Sequence, residues 1–510
     1  MNIEKKREKF IRKFINESIE LKNSNLFLYK NINLHLIKLV EQNLIPTIAY
    51  ILDKNKMHYK ELFNLCYDDI WKYLNSDFNL KKIVTLKLNL YVKNSLKNIL
   101  EINRLVHFLS EILSKNLSIK SISAELGDIH SNGKSTSLVK LSNGSSYIFK
   151  PNQDGRQNLN YILDSIFSYF NEKIEDNLPL KIQPSFSIGD TVISRFINEN
   201  SKVLNESDIN SFYYCMGKIL GISCLCHFTD LHCENLITSE GYPFIIDYET
   251  LFSVIEDETP KNDFLEETLL IQDGNNRGLF SMISGIQGGG EKMKSFLVPY
   301  VINDGTDDFS VRYRKLSNKR MKNRIYYKGK IVRPEYYSFS IIEGYRNVMN
   351  LFLKDKYNIS RLILNSIDKY IIRPRVVLRP TRLYGFILAR AMQPIELIDT
   401  DKYWNVIESY MKEYKIPVKN CSESIIKYEI SELKKGNIPI FYRDVNSKDL
   451  YLGDEFLEKD VFSFSIKDVI TEKLGTIDNK YIEDSCSHIS YLLKTTENIS
   501  YDKEIEGWIK

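Results

Sequence analysis

The chain has 510 residues, a formal net charge of +4 and a 43% hydrophobic content, which is room for about three units of roughly 150 residues and too apolar for a fibrous or disordered chain. The near-neutral charge argues against a broad nucleic-acid-binding surface, so nucleic acid is not among the expected partners. No apolar run reaches the ~18 residues of a membrane span, the first twenty residues carry charges throughout with no apolar signal core, and the cysteines (Cys66, Cys215, Cys224, Cys226, Cys233, Cys421, Cys486) lack CxxC or framework spacing; a cytoplasmic protein is expected.

Residues 1–115 are rich in Leu, Ile, Asn and Lys, with Leu86, Leu90, Leu96 and Leu100 at helical spacing and almost no glycine, and predict a helical N-terminal module. From Ile119 the texture changes to short apolar stretches broken by Gly and Ser. The segment Gly127 to Ser135 mimics a P-loop but holds five residues between its glycines where the motif needs four, and it leads into a strand instead of a helix. SLVKL and SYIFK then flank Ser-Asn-Gly-Ser, predicting a β-hairpin that ends at Lys150. A helix over 158–172 and strands near 182–187 and 190–195 follow, so residues 116–205 read as a small α+β lobe. A strand lysine followed by a helix is what a nucleotide-binding lobe supplies, the ammonium reaching the α/β-phosphates; an edge-strand lysine is the plain alternative. Asp164 is the acid available on that helix as a partner for Lys150.

Residues 207–226 predict a helix with Ser207 as N-cap. It runs into HFTDLHCENLITSEGYPFIIDYE, from His227 to Glu249. In a phosphoryl-transfer centre of the protein-kinase kind, Asp is followed by Asn five positions on and by a metal-binding Asp after a hairpin, because base and metal ligands must converge on one γ-phosphate. Asp230, Asn235 and Asp247 have that order, and LITSEGYPFII reads as the hairpin returning Asp247 beside Asn235. Asp230 is then the group that orients or deprotonates a hydroxyl, and Asn235 and Asp247 hold Mg²⁺ against the phosphates. Glu249, two residues beyond Asp247, would share its face on an extended strand and is a further metal candidate. His232 stands where protein kinases place Lys, and is read either as a phosphate donor and proton acceptor or as a structural imidazole.

Further on, Gly288 to Gly290 read as loop, and the basic stretch from Val311 to Lys330 as a solvated face or an acidic-peptide contact, with strand texture at 324–332. In RPRVVLRPTRLY the even spacing of Arg373, Arg375 and Arg379, with Thr381 beyond, predicts guanidiniums sharing one face of an extended segment and converging on phosphate, or else a solvated basic strand. Residues 206–385 form the second, larger lobe of this scheme, and 386–510 read as a helical extension. The expected class is α+β, a kinase-like two-lobe core of a small antiparallel-sheet lobe and a helical lobe with helical additions at both ends.

Together these motifs resemble the dehydratase domain of class II lanthipeptide synthetases, the LanM family. GDIHSNGK is similar to that family's GD-x-H-x-x-G-[RK] loop, YIFKP to its nucleotide-lysine motif, HFTDLHCENLI and IIDYETLF to its catalytic stretches, and RVVLRPTRLY to its Arg…Arg-x-Thr motif. The resemblance implies an enzyme that phosphorylates Ser and Thr of a precursor peptide with ATP and eliminates the phosphate to dehydroalanine or dehydrobutyrine, with ADP and Mg²⁺ in the site. Lys150, Asp230, His232, Asn235 and Asp247 would serve phosphorylation, and Asp128, His130, Arg375 and Thr381 phosphate handling or elimination, the base being open between His130 and Lys150. It also implies a precursor peptide as partner, with a separate cyclase and an export protein. The family's zinc cyclase uses Cys, Cys and His ligands; after Thr381 this chain holds Cys421, Cys486 and His488 at unsuitable spacing, so neither zinc nor ring closure is expected. Two other readings stand beside this one, a kinase without elimination and a non-catalytic peptide-binding partner of another synthetase.

Overall fold

The computed structural model describes residues 3–18, 30–74, 80–112, 116–123, 136–151, 155–200, 205–255, 264–275, 283–288, 292–303, 306, 308–317, 322–396, 400–413, 422–453 and 455–495. The fold is mixed α+β with several small sheets. Asp128, His130, Cys421 and the P-loop-like segment lie outside the described residues.

Five helices open the chain: α1 (Ile3–Ser18), α2 (Lys30–Asn55), α3 (Tyr59–Asn64), α4 (Tyr67–Leu74) and α5 (Leu80–Ile112). Strands β1 (Ile119–Ser123), β2 (Ser137–Leu141) and β3 (Ser146–Pro151), helix α6 (Arg156–Lys173), and strands β4 (Lys181–Ile182), β5 (Ser185–Ile188) and β6 (Thr191–Arg195) follow. Five of these strands pair antiparallel in the order β1-β2-β3-β6-β5, with Lys150 opposite Val192. Val139 and Leu141 of β2, with Phe149 and Ile193, bury against Ile102, Leu105 and Val106 of α5. Because side chains alternate along a strand, Lys150 leaves the sheet on the face opposite Phe149, away from α5. α6 begins at Gly155, whose φ of 80° and approach to the Ile371 carbonyl, 2.5 Å from where a Cβ would sit, leave no room for a side chain.

The core is organised on α7 (Glu206–Cys226). Its N-cap is Asn205, not Ser207: Asn205 accepts from the Asp208 N–H and the Asp208 carboxylate accepts from the Asn205 N–H, a reciprocal box that leaves Ser207 inside the first turn. The helix is apolar nearly all round, and from Phe212 to Cys226 every residue is buried. It crosses α8 (Ser338–Lys354) at backbone contact: a Cβ on Gly217 would lie 2.0 Å from the Ile341 carbonyl oxygen, and one on Gly344 2.0 Å from that of Tyr214. α9 (Lys356–Lys369) and the C-terminal α13 (Ile466–Thr476) and α14 (Asn479–Lys494) complete this core.

After α7 come the hairpin β7 (Leu236–Ser239) and β8 (Tyr242–Ile245), to which β4 adds in parallel, and the pairs β9 (Lys292–Ile302) with β10 (Ser310–Ser317) and β11 (Tyr326–Tyr327) with β12 (Lys330–Ile331). The first part of the basic stretch is therefore strand β10. Arg324 is not solvated: it is buried and donates to the carbonyls of Gln287, Gly288 and Val332. The stretch after residue 386 also departs from an all-helical reading. Beside α10 (Thr381–Ala391), α11 (Thr400–Glu413) and α12 (Glu423–Lys434) it contributes β14 (Phe441–Arg443), β15 (Leu450–Leu452) and β16 (Glu455–Glu458), which extend a sheet from β13 (Arg375–Val376). At two to four residues these strands are too short to present a period-2 pattern. Helices α10 and α11 and Leu433 of α12 share a core with the N-terminal helices, through Leu383, Tyr384, Ile387, Tyr403 and Ile407 against residues such as Phe14, Leu44 and Trp71.

Candidate active site

The loop from His227 to Asn235 is fixed mainly by its backbone. α7 ends on His227 in the left-handed region (φ 47°), and Asp230 also has positive φ (57°), an arrangement that non-glycine residues adopt only when the surroundings hold it. Thr229 and Thr250 exchange hydrogen bonds, the Leu231 N–H donates to the Thr268 carbonyl at 2.9 Å, and the Cys233 N–H donates to that of Ile283 at 2.8 Å. The His227 ring is buried against Phe264 with centroids 4.2 Å apart. Burial and the nearby Lys473 ammonium push its pKa well below the ordinary histidine value, which keeps it neutral under the loop.

The hairpin performs the return that its sequence predicts. Glu240 and Gly241 both have positive φ, as a tight two-residue turn requires, and the Ile246 N–H donates to the Asn235 carbonyl at 3.0 Å. Asp247 is thereby brought beside the loop. Lys150 reaches it from β3: its Nζ donates to the Ile246 carbonyl at 2.6 Å and lies 3.8 Å from Asp247 Oδ2. Asp164, the sequence candidate for pairing with Lys150, is exposed on α6, while Gln157 and Asn160 are the polar residues that helix buries.

Asn235 Nδ2 donates to the Asp230 carbonyl at 2.8 Å and lies 3.3 Å from His232 Nε2, which leaves its Oδ1 as the oxygen donor. Asp247 contributes a partly exposed carboxylate whose Oδ1 accepts from the Glu249 N–H. Among the described residues no group of three or more His, Cys, Asp or Glu is arranged to hold a metal ion. One amide oxygen and one carboxylate nonetheless fit Mg²⁺, which is commonly held by one or two carboxylates with the remaining positions filled by phosphates and water.

Asp230 lies 3.7 Å from His232 Nε2. Burial raises its pKa above the usual carboxylate range, while His232 and Arg375 pull the other way. Glu249 is taken up by Arg375. β8 ends at Ile245, so strand alternation no longer applies, and the Glu249 carboxylate accepts from Arg375 Nη1 while its carbonyl accepts from the Arg375 N–H. Both side chains are buried; burial works against the Arg375 charge, yet Glu249 and Asp230 hold it firmly protonated.

The other two arginines do not join Arg375 on one face. Only Arg375 and Val376 are strand. Arg373 stacks over Tyr451 and lies 3.9 Å from Asp444, while Arg379 is buried 2.9 Å from Glu429, which also accepts from Tyr384 at 2.6 Å. Each guanidinium is thus held by a different acid. Thr381 opens α10 after the N-cap Pro380. Beside it Arg382, which the motif reading passed over, lies 3.8 Å from Glu234 of the loop from His227 to Asn235; only the fold brings the two together, and no spacing in the sequence signals it.

Comparison with known proteins adds a family and a relative. Residues 80–444 match DUF4135, a domain of unknown function. Over 363 residues the chain is 24% identical to the lacticin 481/lactococcin biosynthesis protein LcnDR2 of Lactococcus lactis subsp. lactis, an alignment covering 66% of this chain and 37% of that protein. The chain thus spans well under half the length of that relative.

Proposed function

Since the chain belongs to the DUF4135 family, and a relative it matches is by name a lacticin 481/lactococcin biosynthesis protein, we propose that it modifies a lanthipeptide-type precursor by ATP-dependent dehydration of Ser and Thr. The observation that carries this reading is the Lys150–Asp247 approach of 3.8 Å, which joins the five-stranded sheet to a loop bearing Asp230 and Asn235. A lysine on a sheet, a half-buried aspartate and an Asn/Asp oxygen pair are the parts that phosphoryl transfer requires.

In the first step the peptide hydroxyl oxygen bonds to the γ-phosphorus of ATP, the bond to ADP breaks, and Asp230 orients the hydroxyl and takes its proton. Its raised pKa makes it a better proton acceptor than an ordinary carboxylate. Lys150 neutralises phosphate oxygens, and His232 donates to them from beside Asp230. When bound, Mg²⁺ supplies charge neutralisation at the phosphates, held by Asn235 and Asp247. In the second step a base, His130 or Lys150, takes the Cα proton, the electron pair of the Cα–H bond forms the Cα=Cβ bond, and phosphate leaves with the electrons of the Cβ–O bond. Arg375 supplies positive charge behind the site.

Mass spectrometry of a Ser/Thr/Cys-rich peptide encoded near this gene tests the reading. With ATP and Mg²⁺ the peptide is expected to lose one water per modified residue, and Asp230→Asn is expected to leave it unchanged. A peptide that only gains phosphate supports the kinase reading, which the closure of Arg375 on Glu249 favours. Peptide binding without any mass change supports a non-catalytic partner.

A further inference from the structure

A chain of side chains runs from the catalytic loop to the start of α10. His232 Nε2 lies 3.7 Å from Asp230 Oδ1, His232 Nδ1 4.0 Å from Glu234 Oε2, and Glu234 Oε1 3.8 Å from Arg382 Nη2. Arg382 directly follows Thr381 and is close enough to the loop to act on the Cys233 thiol. Its side chain is 18% exposed, and its Nη1, shielded from solvent, has no hydrogen-bond partner among the described residues. A shielded guanidinium donor is costly until an acceptor arrives. Arg379 Nη1 is likewise shielded without a partner among the described residues, so what separates Arg382 from the neighbouring arginines is the acid that holds it. Arg375 is closed on Glu249, Arg379 on Glu429, and Arg373 on Tyr451 and Asp444. The acid beside Arg382 is also the most easily displaced of the set: Glu234 is 54% exposed, and at 3.8 Å the pair is an ion pair without a hydrogen bond.

We propose that Arg382 is the catalytic residue that takes up the phosphate expelled in the elimination, an inference that rests on the dehydratase reading. As the α-proton passes to the base and its electron pair becomes the Cα=Cβ bond, the Cβ–O electrons move onto the departing phosphate. The planar fork of Arg382 receives that growing charge, for which two parallel N–H donors are suited. Glu234 holds the fork beside the loop between turnovers and yields to the phosphate. Arg375 then serves as a positioning residue, ordering Glu249 and lowering the proton affinity of Asp230 from behind.

The probe is inorganic phosphate, titrated calorimetrically into the full chain saturated with Mg·ADP. Arg382→Gln is expected to weaken phosphate binding about tenfold or more, and Arg382→Lys to weaken it less. Arg390→Gln, which removes the same charge from the far end of α10, should leave it unchanged. Glu234→Gln, which removes the charge facing Arg382 along with the weaker approach to His232, is expected to tighten phosphate binding, so the assignment stays testable even if Arg382→Gln misfolds. Phosphate binding indifferent to Arg382→Gln, equally weakened by Arg390→Gln, or unimproved by Glu234→Gln overturns the assignment. A wild-type chain that takes up no Mg·ADP contradicts the dehydratase reading itself. One that takes up Mg·ADP but binds no phosphate overturns only the role of Arg382.

Discussion

Gly217→Ala sets two physical effects against each other at the helix crossing behind the loop from His227 to Asn235. In a helix interior, Gly to Ala ordinarily stabilises by about 0.5–1 kcal/mol, because alanine loses less backbone freedom on folding. Here the added Cβ would meet the Ile341 carbonyl oxygen at 2.0 Å and its carbon at 2.8 Å, where ordinary contact begins at 3.4 Å. Neither atom belongs to a flexible side chain, so α7 and α8 must part by more than an ångström. Parting them loosens Ile341, Tyr345, Val348 and Met349 from a close-packed interior. Overpacking of this kind costs about 1–3 kcal/mol or more, which exceeds the propensity gain. Thermal unfolding followed by circular dichroism should show the variant melting several degrees lower, with Gly344→Ala behaving alike because its Cβ meets the Tyr214 carbonyl at the same 2.0 Å. Because α7 leads directly into His227, Mg·ATP binding should weaken in parallel. A Gly217→Ala protein that melts at or above the wild-type temperature would refute the backbone-contact crossing.

Three further outcomes follow from the buried charges. Arg379→Met leaves the Glu429 carboxylate buried with Tyr384 as its remaining partner, at a cost of about 3–5 kcal/mol. Burial already raises the Glu429 pKa, and removing Arg379 raises it further; a carboxyl whose folded pKa lies above its unfolded value stabilises at low pH and loses that contribution as pH rises through the folded pKa, so the deficit should shrink in melts at pH 5 relative to pH 8. Glu249→Gln strands the buried Arg375 cation and should destabilise by a similar amount, with Arg375→Met restoring much of the loss in the double variant; additive losses in urea titrations would contradict a direct pairing. Arg375→Met also removes a charge that lowers the Asp230 pKa, so the acid limb of the rate profile for phosphorylation should move to higher pH, and an unmoved or lowered limb would count against Asp230 as the base.

The β7–β8 hairpin was legible because its information is local. Apolar pairs, a Glu-Gly turn and the D-x4-N spacing suffice to return Asp247 beside Asn235, and the hydrogen bond from Ile246 to Asn235 completes what the turn dictates. The hairpin ending at Lys150 was legible for the same reason. Partners set by tertiary contact were not. Lys150 meets Asp247, almost a hundred residues away, in place of Asp164; Arg375 meets Glu249; and Arg379 meets Glu429 on a helix fifty residues on. Even spacing implied a shared arginine face only if the segment were strand throughout, and two strand residues are too few to impose it. Nor could composition reveal that α10 and α11 complete the core of the N-terminal helices, since an amphipathic face does not name its partner.

The central claim is that one site both installs a phosphate and expels it. Supplying the wild-type protein and Mg·ADP with a precursor peptide already phosphorylated at serine isolates the second step. The account predicts release of one inorganic phosphate per phosphoserine and a dehydroalanine in its place, both lost in Arg382→Gln. A phosphopeptide that remains intact, while the unphosphorylated peptide is phosphorylated by the same preparation with ATP, would contradict it.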